Sequence, residues 1–270
     1  MNVFQAAVLG LIQGLTEFLP VSSTAHLIII PKFLGWEDPG LTFDVALHLG
    51  TLVALLLFFW QDWVNLIQSG IGYAQGKRGQ QYDPLFWYIV LATIPGGIAG
   101  LLFEKKADRD LRDLRIIAAA LVLLALVLVI AEFKGRKRKQ IEQVSIADAI
   151  IVGCAQALAI IPGVSRSGVT ITAGLFRDMK RDAAARFSFL LSTPLIAGAA
   201  AKKTLEVAKE GLPAGQAMPF AVGILVSAIV GIFAIKILLR FLQSHSTFVF
   251  VYYRIALGIL LYVAFWYGIG

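Results

Sequence analysis

One charged side chain, Arg166, stands among hydroxyl groups in an otherwise apolar part of the chain. Largely apolar residues 155–161 precede this stretch and residues 171–176 follow it, and neither run is long enough to cross a bilayer. A charge at membrane depth costs about 2.5–3.5 kcal/mol on insertion scales, so its presence there indicates a functional role. Three hydroxyl side chains surround it: Ser165, Ser167 and Thr170.

The residues around Arg166 predict a break between two helices. Pro162 is expected to end the incoming helix, and Ser165 is a good N-cap for the next one. The free N–H groups of that second helix, with the positive end of its dipole, would point into the break. Arginine, hydroxyl groups and a helix N-terminus together predict an anion site, most simply a site for phosphate.

A second interrupted apolar segment supplies the other reactive side chains. Residues 3–18 and 25–34 are helix-like, and Pro20 lies in the break between them. Gln13 and Glu17 are four residues apart, so they share one face of the first helix. Three further polar residues follow the break: Ser22, Ser23 and His26.

If the two breaks meet, a carboxylate, an imidazole and an arginine would surround one anion. Arg166 would then stabilise charge on phosphate oxygens. Glu17 could bind a divalent cation or act as a base, and His26 could serve as an acid or a base. These roles suit phosphoryl hydrolysis.

The composition is that of an integral membrane protein. Of 270 residues, 58% are hydrophobic and only 15% are charged, against about 25% charged in soluble domains. The formal charge of +7 comes mostly from short loops between apolar runs, which indicates topology signals and lipid contacts rather than nucleic-acid binding. The single cysteine, Cys154, excludes an intramolecular disulfide. We expect no signal peptide, because the apolar N-terminus has no basic region or cleavage site.

Each half of the chain predicts a broken helix pair followed by three spans. The broken pairs cover residues 3–34 and 146–176, and each is expected to enter and leave the membrane on one side. The predicted spans are residues 42–60, 84–103, 116–133, 183–201, 220–239 and 248–267. Residues 66–83 and 104–115 are predicted to be polar or charged loops.

The two halves also match in sequence. At an offset of 143, four residues of the first half recur in the second: Gly10, Gln13, Val21 and Ser22 recur as Gly153, Gln156, Val164 and Ser165. Three spans per half is an odd number, so the second half must be inverted in the membrane. We therefore expect one all-α polytopic domain, residues 1–270, of two inverted repeats at about 1–134 and 145–270, with the site where the breaks meet.

The distribution of basic loops predicts the orientation. The side that holds residues 134–139 is the more basic one and would be cytoplasmic. Both termini would then lie outside.

Two motifs resemble those of bacterial undecaprenyl-diphosphate phosphatases, the bacitracin-resistance family: Gln13-Gly-Leu-Thr-Glu-Phe-Leu-Pro-Val-Ser-Ser-Thr-Ala-His26 and Pro162-Gly-Val-Ser-Arg-Ser-Gly-Val-Thr170. The resemblance covers the whole chain in length, repeat and segment order. It implies a metal-dependent hydrolase that removes the terminal phosphate of undecaprenyl diphosphate and so recycles the lipid carrier of cell-wall synthesis. It also implies magnesium or calcium, the bacterial inner membrane, and a site open to the periplasm.

The resemblance also implies roles for individual residues. Glu17, His26 and Arg166 would be catalytic, and Ser23 is one candidate nucleophile against direct attack by water. The phosphates would contact Ser22, Ser165, Ser167, Thr170 and Arg166. The family motif often has an acid at the position of Gln13, so Glu17 could hold the cation alone or with Gln13, with phosphate oxygens and water completing its shell.

Several alternatives stay open from the sequence. A transporter or flippase for a polyprenyl phosphate would share the inverted-repeat plan. An intramembrane serine protease is disfavoured because Ser23 and His26 are only three residues apart on one helix. His48 is expected to be a structural hydrogen-bonder, His245 to be solvated, and a glycine group to allow close helix packing: Gly96, Gly97 and Gly100. The chain could be a monomer or a homodimer.

Overall fold

All the regular secondary structure is helical in the part of the chain that the computed structural model describes, residues 1–77, 83–212 and 215–267. The α-helices are α1 (Val3–Thr16), α2 (Ser23–Phe33), α3 (Gly40–Phe58), α4 (Trp60–Ala74), α5 (Leu85–Asp110), α6 (Leu114–Lys134), α7 (Ile146–Ala157), α8 (Arg166–Phe176), α9 (Arg181–Glu210), α10 (Ala217–Ser244) and α11 (Phe248–Trp266). Short 3-10 helices lie at Ile141–Gln143 and Leu158–Ile160.

Six of these helices are long and apolar enough to cross a membrane. They are α3, α5, α6, α9, α10 and α11, and they coincide with the six predicted spans. The chain is therefore an all-helical, multi-pass membrane protein. Four of the five remaining helices, α1, α2, α7 and α8, form the two predicted broken pairs, and each is too short to span a bilayer.

The two breaks have the same local geometry. Ser22 and Ser165 precede α2 and α8 with φ angles of +76° and +67°, the left-handed region that few non-glycine residues occupy. Each hydroxyl caps the helix that follows: the Ala25 N–H donates to Ser22 Oγ at 3.4 Å, and the Gly168 N–H donates to Ser165 Oγ at 3.1 Å. Such strained backbone is found where the surrounding structure holds it, often at functional sites.

The helix contacts bring the breaks together. α1 packs against α10 and α3, and α7 packs against α5 and α8. α3 contacts α9, and α6 contacts α11. Between the breaks, the Ser167 hydroxyl donates to the Leu19 carbonyl oxygen at 3.0 Å. The predicted meeting of the two motifs is thus confirmed as a contact.

Two predicted loops are wrong in part. Residues 66–74 all belong to α4. This helix presents Trp63 and Leu66 to the core and several polar side chains to the outside, so its average hydropathy resembles that of a loop. Residues 78–82 of the same predicted loop lie outside the described residues. The predicted 104–115 loop is also helical as far as Asp110, because α5 continues past its apolar part.

Candidate active site

The carboxylate of Glu17 is the centre of the site. Its side chain is only 4% exposed, at the end of α1. The Ser23 hydroxyl donates to Oε2 at 2.7 Å, and the Gln13 amide nitrogen donates to the same oxygen at 3.1 Å. His48 Nε2 lies 3.3 Å from Oε2, and Arg166 Nη2 lies 3.6 Å from Oε1. A buried carboxylate therefore has three hydrogen-bonding or cationic partners from other helices: Ser23, His48 and Arg166.

Arg166 is the first residue of α8 and faces both Glu17 and open space. Its Nη1 is buried and has no hydrogen-bond partner among the described residues. A small cavity of about 20 Å³, enough for roughly one water molecule, lies beside it between the two breaks. The lining residues are Glu17, Ser22, Ser23, Thr24, Ala159, Ile161, Ser165 and Arg166. The structure thus brings five of the predicted site residues to one small polar space.

Two of the predicted phosphate contacts point elsewhere. Ser167 Oγ is used by its bond to Leu19 and lies 3.3 Å from Ser165 Oγ. The Thr170 hydroxyl donates to the Arg166 carbonyl oxygen at 2.7 Å and lies 2.5 Å from Ser188 Oγ on α9. Thr170 therefore ties α8 to α9, and neither residue lines the small cavity.

His26 also lies outside the small cavity. Its Nδ1 is 2.7 Å from the Ser22 carbonyl oxygen, so this nitrogen carries the donated proton. Its Nε2 is 2.6 Å from the hydroxyl of Tyr253 on α11, and the two rings are stacked at 5.7 Å. These contacts fit a neutral imidazole that accepts a hydrogen bond from Tyr253.

A larger, mostly apolar cavity of about 560 Å³ lies between α3, α5, the Leu158–Ile160 turn and α9. Its polar lining includes Arg166, His48 and Gln156, and both amide atoms of Gln156 are buried without a partner among the described residues. Gly97 and Gly100 of α5 line it too, and a Cβ added at either glycine would have no neighbouring atom within 4 Å. The prediction that these two glycines allow close helix packing is therefore wrong, since they border open space.

A metal ion would find few protein ligands here. Among the residues that the structure describes, no three His, Cys, Asp or Glu side chains converge on a point that could hold one. Gln13 Oε1 is buried and has no partner among the described residues, and the amide nitrogen of the same side chain donates to Glu17. Magnesium commonly takes most of its ligands from phosphate oxygens and water, so it does not require a cluster of three protein ligands.

Sequence reasoning gives His48 only a structural hydrogen-bonding role and does not name Tyr253. His48 and Tyr253 contact Glu17 and His26, the residues that the motifs identify. The signal for His48 was present, because an ionisable residue inside an apolar span is by default a functional candidate. Tyr253 had no such signal, since tyrosine is common at the ends of membrane helices.

Comparison with known proteins gives consistent matches over nearly the whole chain. The family of bacitracin resistance protein BacA matches residues 6–260. An undecaprenyl-diphosphatase of Moorella thermoacetica is 52% identical over 267 residues, which cover 98% of this chain and 99% of that protein. Proteins of the same name from Geotalea daltonii and Thermomicrobium roseum are each 47% identical, over 99% and 97% of this chain and 100% and 97% of their own lengths.

Proposed function

Because the chain belongs to the bacitracin resistance protein BacA family, we propose that it hydrolyses undecaprenyl diphosphate to undecaprenyl phosphate and inorganic phosphate. The relatives that carry the name undecaprenyl-diphosphatase match it from end to end. Its product would return to the pool of lipid carrier for peptidoglycan and other envelope polymers.

The hydrogen bond from Ser23 to Glu17 carries this proposal. A hydroxyl 2.7 Å from a buried carboxylate is the arrangement of a nucleophile with its base. Ser23 Oγ would attack the terminal phosphorus while its proton passes to Glu17. The bond from that phosphorus to the bridging oxygen would break, and undecaprenyl phosphate would leave with the electron pair. Water would then cleave the phosphoserine to inorganic phosphate, and Glu17 would return the proton to Ser23.

Direct attack by water is the alternative within the same site. The small cavity beside Glu17 has room for about one water molecule, and Glu17 would take its proton. The Ser23 contact favours the serine, because that hydroxyl already donates to the base.

Arg166 and the start of α8 would hold the phosphate oxygens. The unpartnered Nη1 supplies a donor for charge that develops on the terminal phosphate, in a site that holds little water. His26 would exchange protons with the substrate only through Tyr253, because the Tyr253 hydroxyl stands at its Nε2. Ser167 and Thr170 would support α8 through Leu19 and Ser188.

A magnesium or calcium ion would be held by the Glu17 carboxylate and Gln13 Oε1, with phosphate oxygens and water as further ligands. When bound, the ion would neutralise charge on the diphosphate.

The prenyl chain would lie in the larger cavity. Arg166 lines both cavities, so a lipid whose diphosphate meets Arg166 can extend its chain along Gly97 and Gly100. The lining is mostly apolar, as an isoprenoid requires.

An inverted repeat with two re-entrant pairs is the architecture that we infer. Matched contacts support it: a Cβ on Gly10 would lie 2.6 Å from the Gly223 carbonyl oxygen of α10, and one on Gly153 would lie 2.4 Å from the Ala92 carbonyl oxygen of α5. The basic segment at residues 134–139 favours a cytoplasmic location for that end of α6, with the site open to the periplasm of an inner membrane.

Phosphate release from undecaprenyl diphosphate by the detergent-purified protein tests the function. We expect Ser23→Ala, Glu17→Gln and Arg166→Lys each to lower turnover at least about 100-fold. Ser192→Ala is the control, because it removes a buried hydroxyl that donates to the Phe189 carbonyl oxygen of the same helix and lines neither cavity; we expect its turnover to be unchanged. Lipid binding without phosphate release by the wild type would favour the transporter instead.

A further inference from the structure

Arg254 of α11 is buried at the junction of both breaks. It is 1% exposed and has the largest side chain among the fully buried residues. Its guanidinium donates to five backbone carbonyl oxygens: Pro20 (3.1 Å), Ala120 (3.4 Å), Leu121 (3.1 Å), Gly163 (2.9 Å) and Val164 (3.2 Å). One side chain therefore joins the first break, the second break and α6.

Three of the five carbonyl groups that Arg254 binds are ones that a broken helix leaves without partners. Pro20, Gly163 and Val164 lie between helices, where no intrahelical N–H reaches their oxygens. At membrane depth water does not replace the missing donors, so an internal donor is required. The planar, five-donor guanidinium fits this task because its N–H groups reach acceptors from several segments at once.

The positions of these carbonyls link Arg254 to the reactive side chains. Val164 directly precedes Ser165 and Arg166, and Pro20 lies three residues before Ser23. Arg254 Nη1 lies 3.0 Å from where a Cβ on Gly168 would be, behind the first turn of α8. No carboxylate among the described residues forms an ion pair with Arg254, so its positive charge adds to that of the α8 N-terminus.

We propose that Arg254 is a positioning residue for the reaction: it holds the two breaks in register, so that Ser23 and Glu17 on one side face Arg166 on the other. Arg254 touches neither the small nor the larger cavity lining, so it acts through the backbone of the breaks. This inference rests on the proposed function for its effect on turnover, but the coupling of the breaks stands on geometry alone.

The test compares Arg254→Lys and Arg254→Met with Thr247→Val. Lysine keeps the charge, but its donors diverge from a single nitrogen and cannot reach three segments. Thr247 is buried just before the same helix, and its hydroxyl donates to Glu132 of α6 at 2.8 Å. Replacing this hydroxyl weakens the contact between α11 and α6 without removing a hydrogen bond to either break. The measurements are kcat and KM for undecaprenyl diphosphate, thermal unfolding, and hydrogen exchange of peptides covering residues 20–25 and 163–168.

We expect Arg254→Lys to lower kcat by about 100-fold with a smaller change in KM, because small displacements of reacting groups have effects of that order. Both break peptides should exchange faster, while Thr247→Val lowers the unfolding temperature and leaves kcat and the break peptides unchanged. Wild-type kcat in folded Arg254→Lys, or faster exchange spread evenly over the chain, would overturn the proposal. If Arg254→Met does not fold, the lysine variant decides.

The two proposals fail separately in this experiment. Absence of phosphate release by the wild type would remove the proposed function. Exchange at the two breaks in Arg254→Lys would still report whether one arginine couples them.

Discussion

His48 Nε2 lies 3.3 Å from Glu17 Oε2, and this contact joins a spanning helix to the first break. The other ring nitrogen, Nδ1, lies 2.7 Å from the Asp44 carbonyl oxygen. Both nitrogens thus face acceptors, an arrangement that the doubly protonated imidazolium satisfies. His48 therefore adds a donor from α3 to a carboxylate that already meets Ser23 and Arg166.

Replacing His48 should weaken catalysis without abolishing it. Loss of one hydrogen-bond donor to a buried charged group costs about 1.5–3 kcal/mol, so His48→Ala should lower kcat/KM by roughly ten- to a hundredfold. Steady-state phosphate release is the measurement. His245→Ala is the control, since His245 is exposed and its ring contacts Phe241 and Ser244, which are close to it in the chain. Unchanged kcat/KM in His48→Ala would mean that Glu17 is oriented without α3.

Removal of divalent cations should stop phosphate release. EDTA treatment is expected to abolish turnover, and added magnesium or calcium to restore it. Gln13→Ala should raise the cation concentration that gives half-maximal rate, and Gln13→Glu should lower it, because a second carboxylate binds a hard cation better than an amide. Gln156→Ala changes the corresponding residue of the second half and should leave the cation requirement as it is. Full activity in EDTA would contradict this cation site.

Filling the larger cavity should discriminate against long prenyl chains. Gly97→Leu and Gly100→Leu each add a side chain where the structure has open space. Each buried CH₂ contributes about 0.8 kcal/mol, so displacing two or more of them should raise KM for undecaprenyl diphosphate by at least about tenfold. Hydrolysis of a short prenyl diphosphate, measured in parallel, should change little.

The control for this experiment is Ile98→Phe, which enlarges a side chain on the outer face of the same helix, where Ile98 is 52% exposed. An equal rise in KM for long and short substrates would show that the leucines disturb the phosphate site instead.

Alanine at the paired glycines should destabilise the fold. A Cβ on Gly153 would meet the Ala92 carbonyl oxygen at 2.4 Å, and one on Gly10 would meet the Gly223 carbonyl oxygen at 2.6 Å. Both variants should lose about 1–3 kcal/mol of stability, because a tightly packed contact must open. Thermal unfolding in detergent measures the effect. Gly198→Ala, where nothing lies within 4 Å, should be neutral or slightly stabilising. Equal behaviour of all three variants would mean that the close contacts relax freely.

The breaks could be predicted from sequence because their signals are local. Within an apolar run, a proline indicates a helix end, a serine indicates an N-cap, and a charged residue indicates a functional position because its burial is unfavourable. None of these signals requires knowledge of the residues that pack against it. Ser165 caps α8 as expected, and Arg166 meets Glu17 as expected. The rule that an ionisable residue inside an apolar segment is a functional candidate also applies to His48 and Arg254, which lie in equally apolar runs.

The direction of individual side chains could not be predicted. Thr170 shares α8 with Arg166, yet its hydroxyl meets Ser188, because α9 packs against that face of the helix. Which neighbour covers which face depends on helix contacts between distant parts of the chain. The amphipathic α4 escaped prediction for a different reason, since its polar face lowers the average hydropathy on which a span is recognised.

Leu101 lines the larger cavity and is also 79% exposed on the outer surface of α5. The cavity wall is thus continuous with the lipid-facing side of the helix. A substrate with a long isoprenoid can enter sideways, by two-dimensional diffusion, without its chain crossing water. Its effective concentration is then a mole fraction in the lipid phase. At constant bulk substrate, adding detergent or carrier lipid dilutes the surface on which enzyme and substrate meet, and the rate falls with that dilution.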